Sequence, residues 1–163
     1  MHNKFLRGFA FILVFCGCSS GSSHPLDSPP PVAEQETGNE LDLANLARLL
    51  GEVNSAAVQK NEEGLTRLVQ FSKHSDYLVR IEALKALSAD YFRKSESGFD
   101  TLKDAVNDEH WLVRSVAIKA LGREPRKDSL KTLETRLSVE QHERVQKYLR
   151  ASIEFLKRVP TLH

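Results

Sequence analysis

Apolar positions along this chain change their spacing twice. Phe9–Phe15 is an unbroken apolar block, Phe-Ala-Phe-Ile-Leu-Val-Phe, preceded by Lys4 and Arg7. Ser19–Glu40 then carries few large apolar residues and no aromatic. From Leu41 onward apolar residues recur every three or four positions, the spacing of one face of a helix. Leu43, Leu46, Leu49, Leu50, Val53 and Ala57 predict a leading amphipathic helix.

The same spacing then repeats as a unit. Gly64-Leu65-Thr66-Arg67-Leu68 lines up with Gly98-Phe99-Asp100-Thr101-Leu102, and Tyr77–Leu87 lines up with Trp111–Leu121, every pair thirty-four positions apart without a gap. Each unit divides into two helices: Leu65, Leu68 and Val69, or Phe99, Leu102 and Val106, mark the first. Val79, Ala83, Ala86 and Leu87, or Val113, Ala117, Ala120 and Leu121, mark the second. Asn61 is placed to cap the first helix of unit one and Asp108 the second helix of unit two, while Gly122 and Pro125 end that helix. A third unit has Leu130, Leu133 and Leu137 in its first helix. Ser138-Val139-Glu140-Gln141 then reads as a capping box opening a long helix through Val145, Leu149, Ser152, Ile153, Leu156 and Val159, closed by Pro160. The expected fold class is all-α, a short α-solenoid of about three antiparallel hairpins plus a leading helix, some seven helices within 41–163. A lone helical hairpin cannot hide its apolar face, so neighbouring units must stack. Ala83 and Ala117 are small where helices should cross closely.

The pattern resembles the HEAT-like repeat, particularly the short form also found in phycobilin lyases, over roughly Asn61–Val159. That motif has an acidic residue shortly before Val-Arg, then Ala, then Ala-Leu-Gly. Unit two supplies Asp108, Val113-Arg114, Ala117 and Ala120-Leu121-Gly122; unit one supplies Asp76, Val79-Arg80 and Ala83, with Ser88 in place of Gly. Unit three keeps Val145, puts Gln146 where the Arg belongs and needs a two-residue shift, which suits a terminal cap. The resemblance implies a ladder of hydrogen bonds and ion pairs between units, built from Asp76, Arg80, Asp108 and Arg114. It also implies that the second helices line the concave side of the array.

The N-terminal block is too short to span a bilayer, which takes roughly 20 residues. A short positive stretch, an apolar core and small residues after it read as a secretory signal over 1–17. Val14-Phe15-Cys16-Gly17-Cys18 resembles the bacterial lipobox, with Phe15 and Cys16 departing from its usual Leu and Ala, Ser or Thr. The resemblance implies lipidation of Cys18, attachment to the cell envelope and, with no Asp after Cys18, sorting to the outer membrane facing the periplasm. Residues 18–40 are rich in Ser and Pro and acidic, a composition expected to stay a disordered linker. As a coil it would hold the domain on the order of 25 Å from the membrane.

Charge and chemistry narrow the function classes. A net charge of +1 argues against a nucleic-acid partner. Both cysteines, Cys16 and Cys18, lie at the N-terminus, which excludes a disulfide framework and a Cys-ligated zinc site. His142-Glu143-Arg144-Val145-Gln146 stops short of the zinc-protease helix, because Gln146 stands where the second His is needed. His74, His110 and His142 recur near turns; stacked helices about 8–10 Å apart would set them in a row without convergence. No phosphate-binding loop and no nucleophile–base spacing is visible, so neither an enzyme nor a cofactor is expected.

What remains is surface. Tyr77 and Trp111 occupy equivalent places at the start of the second helices, as do Lys85 and Lys119 further along; Arg123, Lys147 and Arg150 add charge toward the C-terminus. These residues form a candidate partner-binding face for a protein with an acidic or extended segment, or else ordinary inter-unit packing and solvated lysines. Two other readings stay open at this point. The basic C-terminal third, Lys119–His163, could bind an anionic envelope polymer or lipid headgroup. A lyase-like enzyme would instead need a closed pocket with convergent polar groups.

Overall fold

A computed structural model describes residues 33–159, with side chains from Asp42 onward. Cys18, the signal segment and most of the linker fall outside the described residues, as does Pro160. Eight helices are present among the described residues: α1 (Ala33–Gln59), α2 (Glu62–Phe71), α3 (Tyr77–Leu87), α4 (Asp90–Arg93), α5 (Glu96–Ala105), α6 (Trp111–Leu121), α7 (Lys127–Leu137) and α8 (Glu143–Arg158). The architecture is the all-α array that the repeat predicts.

The N-terminal half differs from the sequence reading in one boundary and one added element. Helix α1 starts at Ala33, inside the stretch 18–40 read as linker, and takes up its last eight positions. Its first turns are Ala-Glu-Gln-Glu, strong helix formers that supply no apolar period and so leave no pattern to read. Helix α4 adds a single turn that was not expected. Four residues are too few to display periodicity, yet this turn carries Phe92 into the core, where it is fully buried.

The helices form two rows. Helices α3, α6 and α8 pack side by side as the second-helix row, with α1 packed against α3 at its head; α2, α5 and α7 form the first-helix row. Helix α1 thus takes the place of a second helix in a unit that has no first helix among the described residues. The seam between rows is one continuous apolar cluster running from Val53 and Ala56 through Leu68, Leu84, Phe99, Ile118 and Leu133 to Leu156. Ala83 and Ala117 are fully buried in it. Ala117→Leu would force extra methylenes into that closed contact, and chemical denaturation should show a loss of about 1–3 kcal/mol. An unchanged midpoint would mean that the contact has slack.

Repeat-equivalent caps and glycines explain the register. Asn61 accepts a hydrogen bond from the Gly64 N–H at 2.8 Å, and Ser95, thirty-four positions on, accepts from Gly98 at 3.1 Å. A Cβ on Gly64 would sit 2.5 Å from the Ala56 carbonyl oxygen, and one on Gly98 would sit 2.2 Å from that of Phe92. Each glycine lets the first turn of its helix close against the backbone of the preceding one. By contrast, Gly122 has a right-handed φ of −61°, so it does not end α6 by adopting a left-handed conformation.

The capping box over Ser138–Gln141 is not formed. Ser138 instead closes α7, its hydroxyl donating to the Thr135 carbonyl, and α8 begins only at Glu143. Glu140 is turned inward and buried, and its carboxylate has other partners. The third unit is therefore a hairpin of α7 and α8 whose first helix ends where the second was expected to start.

Candidate functional site

The units are joined along the ends of the second helices. Arg80, on α3, forks onto Asp108 of the next unit, with Nε to Oδ2 and Nη2 to Oδ1 both at 2.9 Å. Its remaining Nη1 donates to the His74 and Ser75 carbonyls at 2.9 and 2.8 Å. Arg114 repeats this arrangement: Nε and Nη2 reach Glu140 at 2.8 and 2.9 Å, and Nη1 reaches the Asp108 and Glu109 carbonyls at 2.9 and 3.0 Å. Both arginines are buried. Planar two-point pairing of this kind fixes orientation as well as distance. The hydrogen bonds that Arg80 donates to Asp108 hold its guanidinium above its ordinary range, outweighing burial, which acts the other way.

The acceptors form a series of their own. The His110 N–H donates to Asp108 at 2.8 Å and the His142 N–H donates to Glu140 at 2.8 Å, so each carboxylate also ties down the start of its helix. His74 holds the corresponding place in the first unit, its Nδ1 accepting from the Asp76 N–H at 3.0 Å. At the far end Gln146 replaces the arginine and keeps only the backbone bond, to the Glu140 carbonyl at 2.6 Å. The ladder therefore ends in His74, with no arginine before it, and in Gln146, with no carboxylate after it, among the described residues. Asp76 is not a rung: it is the N-cap of α3, accepting from the Leu78 N–H at 2.8 Å. Asp108, by contrast, accepts from the N–H of His110, the residue ahead of α6, and is not the N-cap that the sequence predicts there.

A second row runs alongside. Tyr77 stacks on His110 of the next unit with ring centroids 3.9 Å apart and planes at 19°. Trp111 stacks on His142 at 4.5 Å and 11°. Tyr77 and Trp111 are thus engaged between units, half-buried against the following turn, and His110 and His142 lie in that row. Among the described residues no group of His, Cys, Asp or Glu is placed to hold a metal ion.

The remaining candidates separate. Lys85 pairs with Glu82 at 2.6 Å beside a groove between α1 and α3. Lys119 and Arg123 come together in a groove of about 450 Å³ between α6 and α8. The Lys119 ammonium stands 3.9 Å above the Tyr148 ring. Lys147 pairs with Glu143 at 3.0 Å. Arg150 lies two residues beyond Tyr148, which turns it about 160° away around the helix, so it does not share that groove.

Three residues of this region escape the sequence reading. Glu140 is the true counterpart of Asp108, hidden because the third unit is two residues shorter between them. Tyr148 and Phe155 lie off the stripe Val145, Leu149, Ile153 and Leu156 that α8 buries; Phe155 is 57% exposed. An aromatic outside a buried stripe was the available signal.

Paired helices in two rows, locked by repeated arginine–carboxylate rungs, define an α-solenoid built from tandem hairpins. HEAT repeats match residues 65–154, more than half of the chain, and the chain belongs to that family. Comparison with curated proteins gives no match. No helix among the described residues is long and apolar enough to cross a membrane.

Proposed function

We propose that this chain is a non-catalytic interaction module of the bacterial cell envelope, tethered through lipid on Cys18, whose second-helix face receives a protein partner. The observation that carries the reading is the pair of buried rungs, Arg80–Asp108 and Arg114–Glu140. They hold α3, α6 and α8 in fixed register and so give one face a fixed pattern of side chains. A preorganised surface binds without the cost of ordering loops first. Membership of the HEAT repeats supports a protein partner over a small substrate.

Crosslinking of the full chain in its native envelope tests the reading directly. A discrete crosslinked protein that persists at moderate salt is expected. Arg123 and Arg150 form no ion pair among the described residues, which favours one second reading, an anionic polymer or headgroup. Binding of that kind collapses as salt rises, because exposed charges more than about 8–10 Å apart are screened at physiological ionic strength. Cys18→Ser should move the protein from the membrane to the soluble fraction. Fractionation that does not change would remove the tether from the proposal.

A further inference from the structure

The groove between α6 and α8 differs in chemistry from the other grooves. The groove between α2 and α5 holds Asp100, Asp104, Asp108 and Glu109; that beside α7 holds Asp128; that between α1 and α3 holds Glu82. Among the described residues that line the α6–α8 groove there is no carboxylate, and the charged groups are Lys119 and Arg123. Neither cation has a carboxylate partner among the described residues, whereas the nearby Lys147, Lys157 and Arg158 are each paired, with Glu143, Glu134 and Glu154.

The floor is built of small residues, Gly122, Ala151 and Ser152, and the far wall is aromatic. Gly122 lies so close to α8 that a Cβ there would meet the Ser152 Oγ at 2.6 Å, and with Ala151 it keeps the floor free of bulk. Tyr148 stands on one side, and Phe155 rises beside it with more than half of its surface in water. Phe155 thus sets a large apolar surface in water beside two cations that have no carboxylate partner among the described residues. Aromatic and arginine side chains at a concave site are also the groups that contribute most to protein association.

We propose that the α6–α8 groove docks an extended acidic polypeptide segment carrying a large apolar side chain. The apolar side chain packs against Phe155 and Tyr148 over the Gly122–Ala151 floor. Flanking carboxylates pair with Arg123, through its two-point fork, and with Lys119. The charge complementarity favours an acidic segment over a neutral or basic one, and the exposed Phe155 favours a polypeptide over a purely charged polymer. This rests on the interaction reading above and names its site and ligand.

The test is selection from a displayed library of random dodecapeptides on the full chain, followed by affinity measurements on the peptides obtained. The expected peptides carry net negative charge and at least one Leu, Phe, Trp or Met. Arg123→Glu and Phe155→Ser should each weaken them by about tenfold or more, the loss typical of a central contact. Lys131→Glu, the same charge change on α7, should leave affinity within about twofold, the behaviour of a residue outside the contact. Both altered groove residues are exposed, and unchanged circular dichroism and thermal midpoints show that folding is retained. Neutral or basic peptides, or acidic ones that bind Arg123→Glu as well as the parent, would overturn the groove assignment while leaving an interaction module intact. Recovery of no peptide, with anionic phosphatidylglycerol vesicles bound instead in a salt-sensitive manner that Phe155→Ser does not alter, would overturn both.

Discussion

Glu140→Ala should unfold this domain more readily than almost any surface or turn substitution, by about 3–5 kcal/mol. The carboxylate is buried and serves three donors at once: Arg114 at 2.8 and 2.9 Å, Arg136 at 2.8 Å, and the His142 N–H at 2.8 Å. Removing it leaves the buried Arg114 guanidinium with its backbone acceptors and no counter-charge. Such a cation cannot relieve the loss by deprotonating, because arginine stays charged in proteins. The third hairpin should therefore loosen from the second. Glu140→Gln keeps the shape and part of the hydrogen bonding and should cost less than the alanine.

The same group predicts an acid dependence of definite sign. Burial by itself would raise the Glu140 pKa, but hydrogen bonds from Arg114, the His142 backbone and Arg136 outweigh it and hold the value at about 2, against an ordinary 4.5. Between those values the unfolded chain binds the proton more readily than the folded one, so stability rises with pH across the window. The contribution is complete above pH 4.5 and is lost as pH falls through about 2. It amounts to about 3 kcal/mol over that range. Thermal midpoints followed by circular dichroism from pH 2 to pH 7 should fall steeply at the acid end in the parent. The fall should be shallower in Glu140→Gln. Parallel curves would show that Glu140 is not depressed.

Phe99→Ala should cost a comparable amount, about 3–5 kcal/mol, through a different physical route. The ring is 1% exposed and lies at the centre of the seam, with the Arg126 guanidinium 4.2 Å above its centroid and the Lys103 ammonium 5.4 Å away. Truncation empties a volume that the neighbouring helices can fill only in part. It also takes the ring from under Arg126, which bridges α5 to the start of α7 and pairs with Glu124 at 3.2 Å. A fall in thermal midpoint of about 10–20 °C is expected for a domain of this size. Phe155→Ala is the matched control: the same atoms removed from an exposed ring should change stability by less than about 0.5 kcal/mol. Equal effects at the two positions would contradict the assignment of core and surface.

The contrast between these residues shows how far the amino-acid pattern reaches. Phe99 is legible because it recurs thirty-four positions after Leu65 and keeps helical spacing with Leu102 and Val106. The hairpins follow from the same periodicity, because a stripe of apolar residues has only one way to leave water. Glu140 is legible only as a local signal, and the local signal is wrong: Ser138-Val139-Glu140-Gln141 has the composition of a capping box. Tertiary structure recruits its carboxylate for an arginine 26 residues earlier, a gain larger than a helix cap supplies. Tyr77 and Trp111 are recognisable as equivalent residues, but no periodicity says that each stacks on the next unit's histidine.

The sequence by itself determined the all-α class, the two-helix unit, its repetition and the small residues at the crossings, since each depends on spacing along a single chain. Tertiary structure alone decided which carboxylate receives each arginine, that the ladder ends in His74 and Gln146, and that Lys119, Arg123, Tyr148 and Phe155 share one groove. Those outcomes depend on the offset between neighbouring helices. A shift of two residues in a turn changes every pairing across the interface while leaving the pattern within each helix untouched.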